Sequence, residues 1–191
     1  MKPETELPET VRQDLGVIGS VEAIRGYYRA PIPDPRDAAA SRVCEWVMEA
    51  PPALGTEVTA EIGRPTRAAL LIYVERMAAL SVRLGSEGPL VQGMAALMIA
   101  SARYDFRDVL MSLAVVKDSA KRIGVDLGPT FASLAHLADQ QTRQMMEDCI
   151  GRADWPDLEK MGRKASHDQD GFRYYSTLMD EFLRPQPPRN R

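Results

Sequence analysis

Apolar residues recur along most of the chain at the three- and four-residue spacing of amphipathic helices. Residues 8–29 keep this spacing, but three glycines lower their helix propensity, so a broken or bent helix is expected there. The prolines of 31–35 predict an extended linker, and a second helix should follow over 36–50 and stop at Pro51 and Pro52. Residues 53–64 alternate apolar and polar positions without a partner strand, which favours an extended connection.

The pattern becomes denser after Arg64. Pro65 opens a helix that ends at Leu84 before Gly85, in agreement with the Pro-start and Gly-stop preference of helices. Pro89 opens a helix that is apolar nearly all round, which predicts the central buried helix. Further helices are expected over 105–123 and 129–151, and two C-terminal helices within 155–184 are separated by a polar loop at 166–171. A flexible segment is expected at 1–7 and a disordered tail at 185–191. The predicted fold class is therefore all-α, with about seven helices in a single domain over 8–184.

A weak self-similarity joins two parts of this helical region. At an offset of 40 residues, Arg67 aligns with Arg107 and Leu70 with Leu110, while Gly88 and Pro89 align with Gly128 and Pro129. The spacing resembles that of HEAT and armadillo-type repeats, in which stacked antiparallel helix pairs bury their faces on each other. The resemblance covers residues 65–149 and includes no family motif, so a repeat-like stack and an irregular helical bundle are the two alternatives.

Composition and charge narrow the functional classes. The chain has 191 residues and 45% hydrophobic content, enough for a real core. Its net charge of -3 lacks the cationic excess typical of nucleic-acid binding. The first residues contain no secretory signal and no segment reads as a membrane span, so a cytoplasmic location is expected. Cys44 and Cys149 are far apart, and neither a disulfide, a metal nor a cofactor is expected.

Candidate chemistry is sparse, because the phosphate-loop, dinucleotide, zinc-helix and nucleophile-elbow motifs are absent. His136 and Asp139 lie three residues apart on one predicted helix, and Lys117 falls inside the apolar stripe of another. Together with Arg107, these residues could line an apolar pocket between helices that binds an anionic ligand. The structural alternatives are an exposed histidine and a lysine whose stem lies on apolar surface.

Other features indicate a protein-binding surface. Tyr27 and Tyr28 stand between arginines, and Tyr174 and Tyr175 follow another; Tyr and Arg are enriched at interface hot spots. Adjacent aromatics on a helix point apart, so one Tyr of each pair should pack inward. Arg107, Met111 and Val115 join the candidate partner-binding residues, because Met111 and Val115 form a second apolar strip opposite the main one.

Two hypotheses follow from these residues. The leading one is a non-enzymatic helical module, such as an adaptor, inhibitor or immunity-like protein, that binds another protein or a second copy of itself through a helix face. The alternative is a helical enzyme or small-anion-binding protein with a pocket between helices.

Overall fold

The structure is a computed structural model, and it describes residues 7–24, 26–101, 106–138 and 140–151. No strand occurs in these ranges, which confirms the all-α prediction. A short 3₁₀ turn at Ala135–Leu137 separates the last two helices. The helices in chain order are α1 Glu9–Ile18, α2 Val21–Ile24, α3 Pro35–Glu49, α4 Pro52–Glu61, α5 Arg64–Leu84, α6 Glu87–Ser101, α7 Phe106–Ile123, α8 Gly128–Leu134 and α9 Gln140–Gly151.

Proline and glycine set several of the helix ends. A proline occupies one of the first two positions of α3, α4, α5 and α8, where its missing N–H would have no helical partner in any case. At the other end, Gly85 and Gly124 adopt φ values of 61° and 72°, in the left-handed region that favours glycine. The next amide, Val125 N–H, reaches back to Ala120 O at 2.9 Å and closes the end of α7. The predicted ends of α5 and α7 are confirmed.

The core lies around α6. Its residues from Met94 to Ala100 are all buried, which confirms that the apolar helix is central. Its main neighbour is α5, and Gly93 keeps the two helices close: a Cβ at this position would lie 3.4 Å from Val74 O. Helix α5 also packs on α7, while α1 packs on α3 and α3 reaches α6.

The predicted extended connection is wrong. Residues 53–64 do not form an extended connection, since most of them belong to α4. A lone extended segment would leave its backbone groups unpaired, whereas a helix satisfies them internally. Thr59 Oγ1 adds a 2.6 Å bond to Gly55 O, and the bare Gly55 backbone lies against Val47.

The predicted helix over 129–151 is interrupted. After α8 and the 3₁₀ turn, Ala138 has an extended backbone with ψ of 148°, and α9 starts afresh at Gln140. Arg143 donates to Ala135 O at 3.0 Å and to Ala138 O at 3.3 Å. Ala135 O also accepts from the Ala138 N–H at 3.2 Å, so Arg143 adds a second bond there and attaches α9 to the end of the 3₁₀ turn.

The proposed helical repeat stays a prediction. Both units contain a long helix that ends at a left-handed glycine, namely α5 at Gly85 and α7 at Gly124. The following helices differ, since α6 has 15 residues and α8 has 7. An irregular helical bundle describes the packing, and the helices predicted over 155–184 and the tail over 185–191 lie outside the described residues.

A buried cluster around Arg76, which we call the Arg76 cluster, attaches the segment before α3 to the middle of α5. Arg76 binds the Asp37 carboxylate with two parallel bonds, from Nε to Oδ1 at 2.7 Å and from Nη2 to Oδ2 at 2.6 Å. Its other N–H groups donate to Tyr27 O, Ala30 O and Pro31 O. All five guanidinium donors therefore have acceptors.

Tyr27 completes the cluster. Its hydroxyl donates to Asp37 Oδ1 at 2.9 Å, and the guanidinium carbons of Arg36 and Arg76 each lie 4.9 Å from the centre of its ring. Burial and the neighbouring Asp37 carboxylate raise the pKa of Tyr27 far above its ordinary value, so the phenol stays a hydrogen-bond donor. Asp37 Oδ2 also accepts from the Asp34 N–H at the start of α3. The Asp37 carboxylate thus accepts hydrogen bonds from the start of α3, from Tyr27 and from α5.

Arg76→Met should destabilise the fold strongly. Asp37 is 7% exposed, and loss of the guanidinium would leave a buried carboxylate unpaired. Removing one partner of such a pair costs about 3 to 5 kcal/mol. Urea unfolding measures the loss. The matched control is Arg12→Met, because both side chains of the Arg12–Glu9 ion pair are exposed, at 59% and 68%. That change should cost about 1 kcal/mol or less, and equal losses in the two variants would contradict the assigned role of the Arg76 cluster.

Candidate ligand-binding cleft

A cleft of about 380 Å³ opens between α5, α7 and the turn that follows α2. This volume falls within the range of roughly 300 to 1,000 Å³ that is typical of small-molecule sites. The lining combines aliphatic side chains with one acid and three arginines. Its members are Tyr28, Ala30 and Ile32 from the turn and linker, Glu75, Arg76, Ala79, Val82 and Arg83 from α5, and Val115, Ser119 and Arg122 from α7.

Helical spacing explains why these side chains share one space. On α5, Glu75, Ala79 and Val82 follow one another at intervals of four and three residues, which places them on one face. On α7, Val115, Ser119 and Arg122 repeat the same intervals. The third wall exists because Arg76 binds the backbone carbonyls of the turn, as described above. We call the whole arrangement the Glu75 cleft.

Glu75 has the most unusual environment in the cleft. The residue is 5% exposed, and neither carboxyl oxygen has a hydrogen-bond partner. Burial raises the pKa of Glu75 to about 8, and the nearby Tyr28 hydroxyl offsets part of that rise. Glu75 is therefore largely protonated at neutral pH. Burial and the proximity of Glu75 in turn raise the pKa of Tyr28, so the phenol is also neutral.

The basic residues of the cleft differ in how their charge is balanced. Arg76 is paired with Asp37 and belongs to the Arg76 cluster. Arg83, in the last turn of α5, is exposed. Arg122, in the last turn of α7, lies 3.6 Å from the Asp118 carboxylate and is also exposed. Because Glu75 is mostly neutral, the cleft carries a net positive charge at the end formed by Arg83 and Arg122.

The structure places the predicted partner-binding residues unevenly. Tyr27 is fully buried in the Arg76 cluster, which removes it from the surface, while Tyr28 is half-buried and lines the cleft. Val115 is 3% exposed and packs against Ala78 of α5, so its apolar strip has a neighbour within the chain. The backbones of Arg107 and Met111 belong to α7, but their side chains and all of Tyr174 lie outside the described residues.

Of the predicted pocket residues, Lys117 and His136 do not line the Glu75 cleft. Lys117 is half-buried on another face of α7, and His136 is exposed in the 3₁₀ turn. Asp139 lies outside the described residues. Glu75 was not among the residues predicted from the sequence. The available signal was a Glu-Arg pair within the apolar run LLIYVERMAAL, since a buried charged residue requires a partner or a function.

Glu75→Gln should remove a pH dependence of stability. Above about pH 4.5 the unfolded chain loses this proton, whereas the folded chain keeps it until about pH 8. The free energy of unfolding of the wild type should therefore fall as the pH rises through this window. Glutamine does not titrate, so the variant should not lose stability in this way. Its unfolding free energy should therefore rise relative to that of the wild type by a few kcal/mol between about pH 4.5 and pH 8. Urea unfolding at a series of pH values measures it.

The matched control for this measurement is Glu57→Gln, which changes an exposed glutamate on α4. This variant should keep the pH dependence of the wild type. A constant difference between Glu75→Gln and the wild type across the window would show that Glu75 is ionised in the folded protein at neutral pH.

Two kinds of site are absent from the described part of the chain. No helix there has both the length and the apolar run needed to cross a membrane. The same part contains no group of three His, Cys, Asp or Glu residues that could hold a metal ion.

Comparisons with known proteins identify no family. No family model matches the chain, and no curated protein and no solved structure shows a match to it.

Proposed function

We propose that this protein binds a small organic anion with an apolar body in the Glu75 cleft. The observation that carries the proposal is the lining itself, in which aliphatic walls meet two exposed arginines at one end. Ligand sites commonly pair an apolar cavity with a few polar groups that fix the orientation of the ligand. An arginine guanidinium can bind a carboxylate with two parallel hydrogen bonds.

The apolar walls support a ligand with a hydrocarbon body. Ile32, Val82 and Val115 contribute branched side chains from three separate segments of the chain. Burying a ligand against them removes apolar surface from water on both partners, which favours binding at about 25 cal/mol per Å². The cleft thus contributes hydrophobic contact along its walls and electrostatic attraction at the Arg83 and Arg122 end.

The protein-binding hypothesis has less support among the described residues. Two of its candidate residues, Tyr27 and Val115, are buried within the chain. The large hydrophobic residues that stand exposed in the described part are Val17 and Leu84, which lie on separate helices. A protein interface usually needs a contiguous apolar centre rather than scattered residues.

Calorimetric titration with straight-chain carboxylates from butanoate to decanoate tests the proposal. The affinity should rise with chain length until the cleft is filled, and it should weaken as salt screens the arginines. Arg83→Gln should weaken binding roughly tenfold, a change that corresponds to about 1.4 kcal/mol. Arg122→Gln should act in the same direction.

The matched control is Arg12→Gln, because Arg12 lies on α1 and its ion pair with Glu9 is exposed. This variant should bind as the wild type does. Absence of binding across the whole carboxylate series, or equal losses in Arg83→Gln and Arg12→Gln, would contradict the proposed function. Thermal unfolding of each variant shows whether the fold is kept, which matters most for Arg122→Gln because Asp118 loses its ion pair.

A further inference from the structure

The two ends of the Glu75 cleft differ in chemistry. Glu75 lies at one end, beside Tyr28 of the turn, and Arg83 lies eight residues further along α5. With a rise of 1.5 Å per residue, their Cα atoms are separated by about 12 Å along the helix axis. Arg122 is assigned to the arginine end, because it lines the cleft seven residues beyond Val115, which packs against Ala78 of α5. The cleft is therefore polarised along α5.

The acid end offers acceptors that the protein does not use. Both Glu75 oxygens are buried without a hydrogen bond, a condition that is rare for buried polar groups and calls for an explanation. The charged and titratable groups around the cleft are Tyr28 from the turn, Arg76 and Arg83 from α5, and Arg122 from α7. Arg76 is turned to Asp37, so it does not satisfy Glu75.

An amine is the ligand group that best satisfies this end. An ammonium group has several N–H donors and no acceptor, and it can bind both oxygens of a carboxylate. If the amine arrives neutral, the O–H bond of Glu75 breaks and the proton moves to the nitrogen. If it arrives as an ammonium, the same proton goes to water. In either case an ammonium–carboxylate pair replaces a buried acid without partners.

We propose that the ligand is an elongated zwitterion, with an amine bound by Glu75, an apolar middle along Val82 and Val115, and a carboxylate bound by Arg83 and Arg122. The assignment rests on the proposed function, because it places the anionic group of that ligand at the same two arginines. Tyr28 is half-buried and forms the wall beside the Glu75 carboxyl.

A comparison of matched ligands tests this inference on the wild-type protein. Each straight-chain carboxylate is compared with the ω-amino acid of the same length, for example octanoate with ω-aminooctanoate. The ω-amino acid that binds best should bind at least tenfold more tightly than the carboxylate of the same length. Titrations at pH 7 in two buffers of different ionisation enthalpy should show that binding of the ammonium form releases a proton.

Glu75→Gln provides the second measurement. Glutamine keeps the size of the side chain but cannot form the ion pair, so the advantage of the amino acid over the carboxylate should disappear. The proton release should disappear with it. Glu57→Gln, at an exposed position on α4, should retain both.

The outcomes separate this inference from the proposed function. If the carboxylates bind as tightly as the amino acids or more tightly, the zwitterion assignment is overturned while the anion-binding function stands. If the amino acids bind better but Glu75→Gln keeps the preference, the amine does not bind at Glu75 and the assignment is again overturned. If neither series binds, the proposed function fails as well.

Discussion

The position of the segment from Tyr27 to Asp37 against α5 depends on the buried contact between Arg76 and Asp37. Five donors of one guanidinium bind a carboxylate at the start of α3 and three backbone carbonyls of the segment from Tyr27 to Pro31. The neighbouring helices α2 and α3 also pack on α5 and α6, and the guanidinium adds a polar attachment for the segment between them. Because the guanidinium donors have fixed directions, they set both the distance and the orientation of the linker relative to α5. The turn that contains Tyr28 is held against α5 as a consequence.

Glu75 and Arg76 show how neighbouring residues on one helix can serve different purposes. Successive side chains on a helix point about 100° apart, so Arg76 is directed to Asp37 while Glu75 borders the cleft. The arginine has all its hydrogen bonds within the protein, and its removal therefore bears on stability. The Glu75 oxygens are buried beside the Tyr28 hydroxyl without a hydrogen bond, which makes the acid costly for the folded state. Ionisable groups with strongly shifted pKa values in a cleft are common at functional sites, and Glu75 fits that description.

The sequence predicted the parts of this structure that local chemistry decides. The ends of α5 and α7 follow from Pro65, Gly85 and Gly124, and the burial of α6 follows from its nearly uniform apolar composition. Helix α4 was missed because its short-range alternation of apolar and polar residues also suits an extended segment. The interruption at Ala138 was missed because no proline or glycine marks it.

The candidate site was harder to predict because its geometry depends on contacts between residues distant in the sequence. Arg76 meets Asp37 across 39 positions, and no spacing rule connects them. The predicted His136 is exposed, whereas the acid with a raised pKa is Glu75, within an apolar run. Helix α5 packs on α6 with one face and on α7 with another, and the linker held by Arg76 covers part of the face that remains. The Glu75 cleft occupies the space left between that linker and α7, so the contact that stabilises the fold also forms a wall of the candidate site.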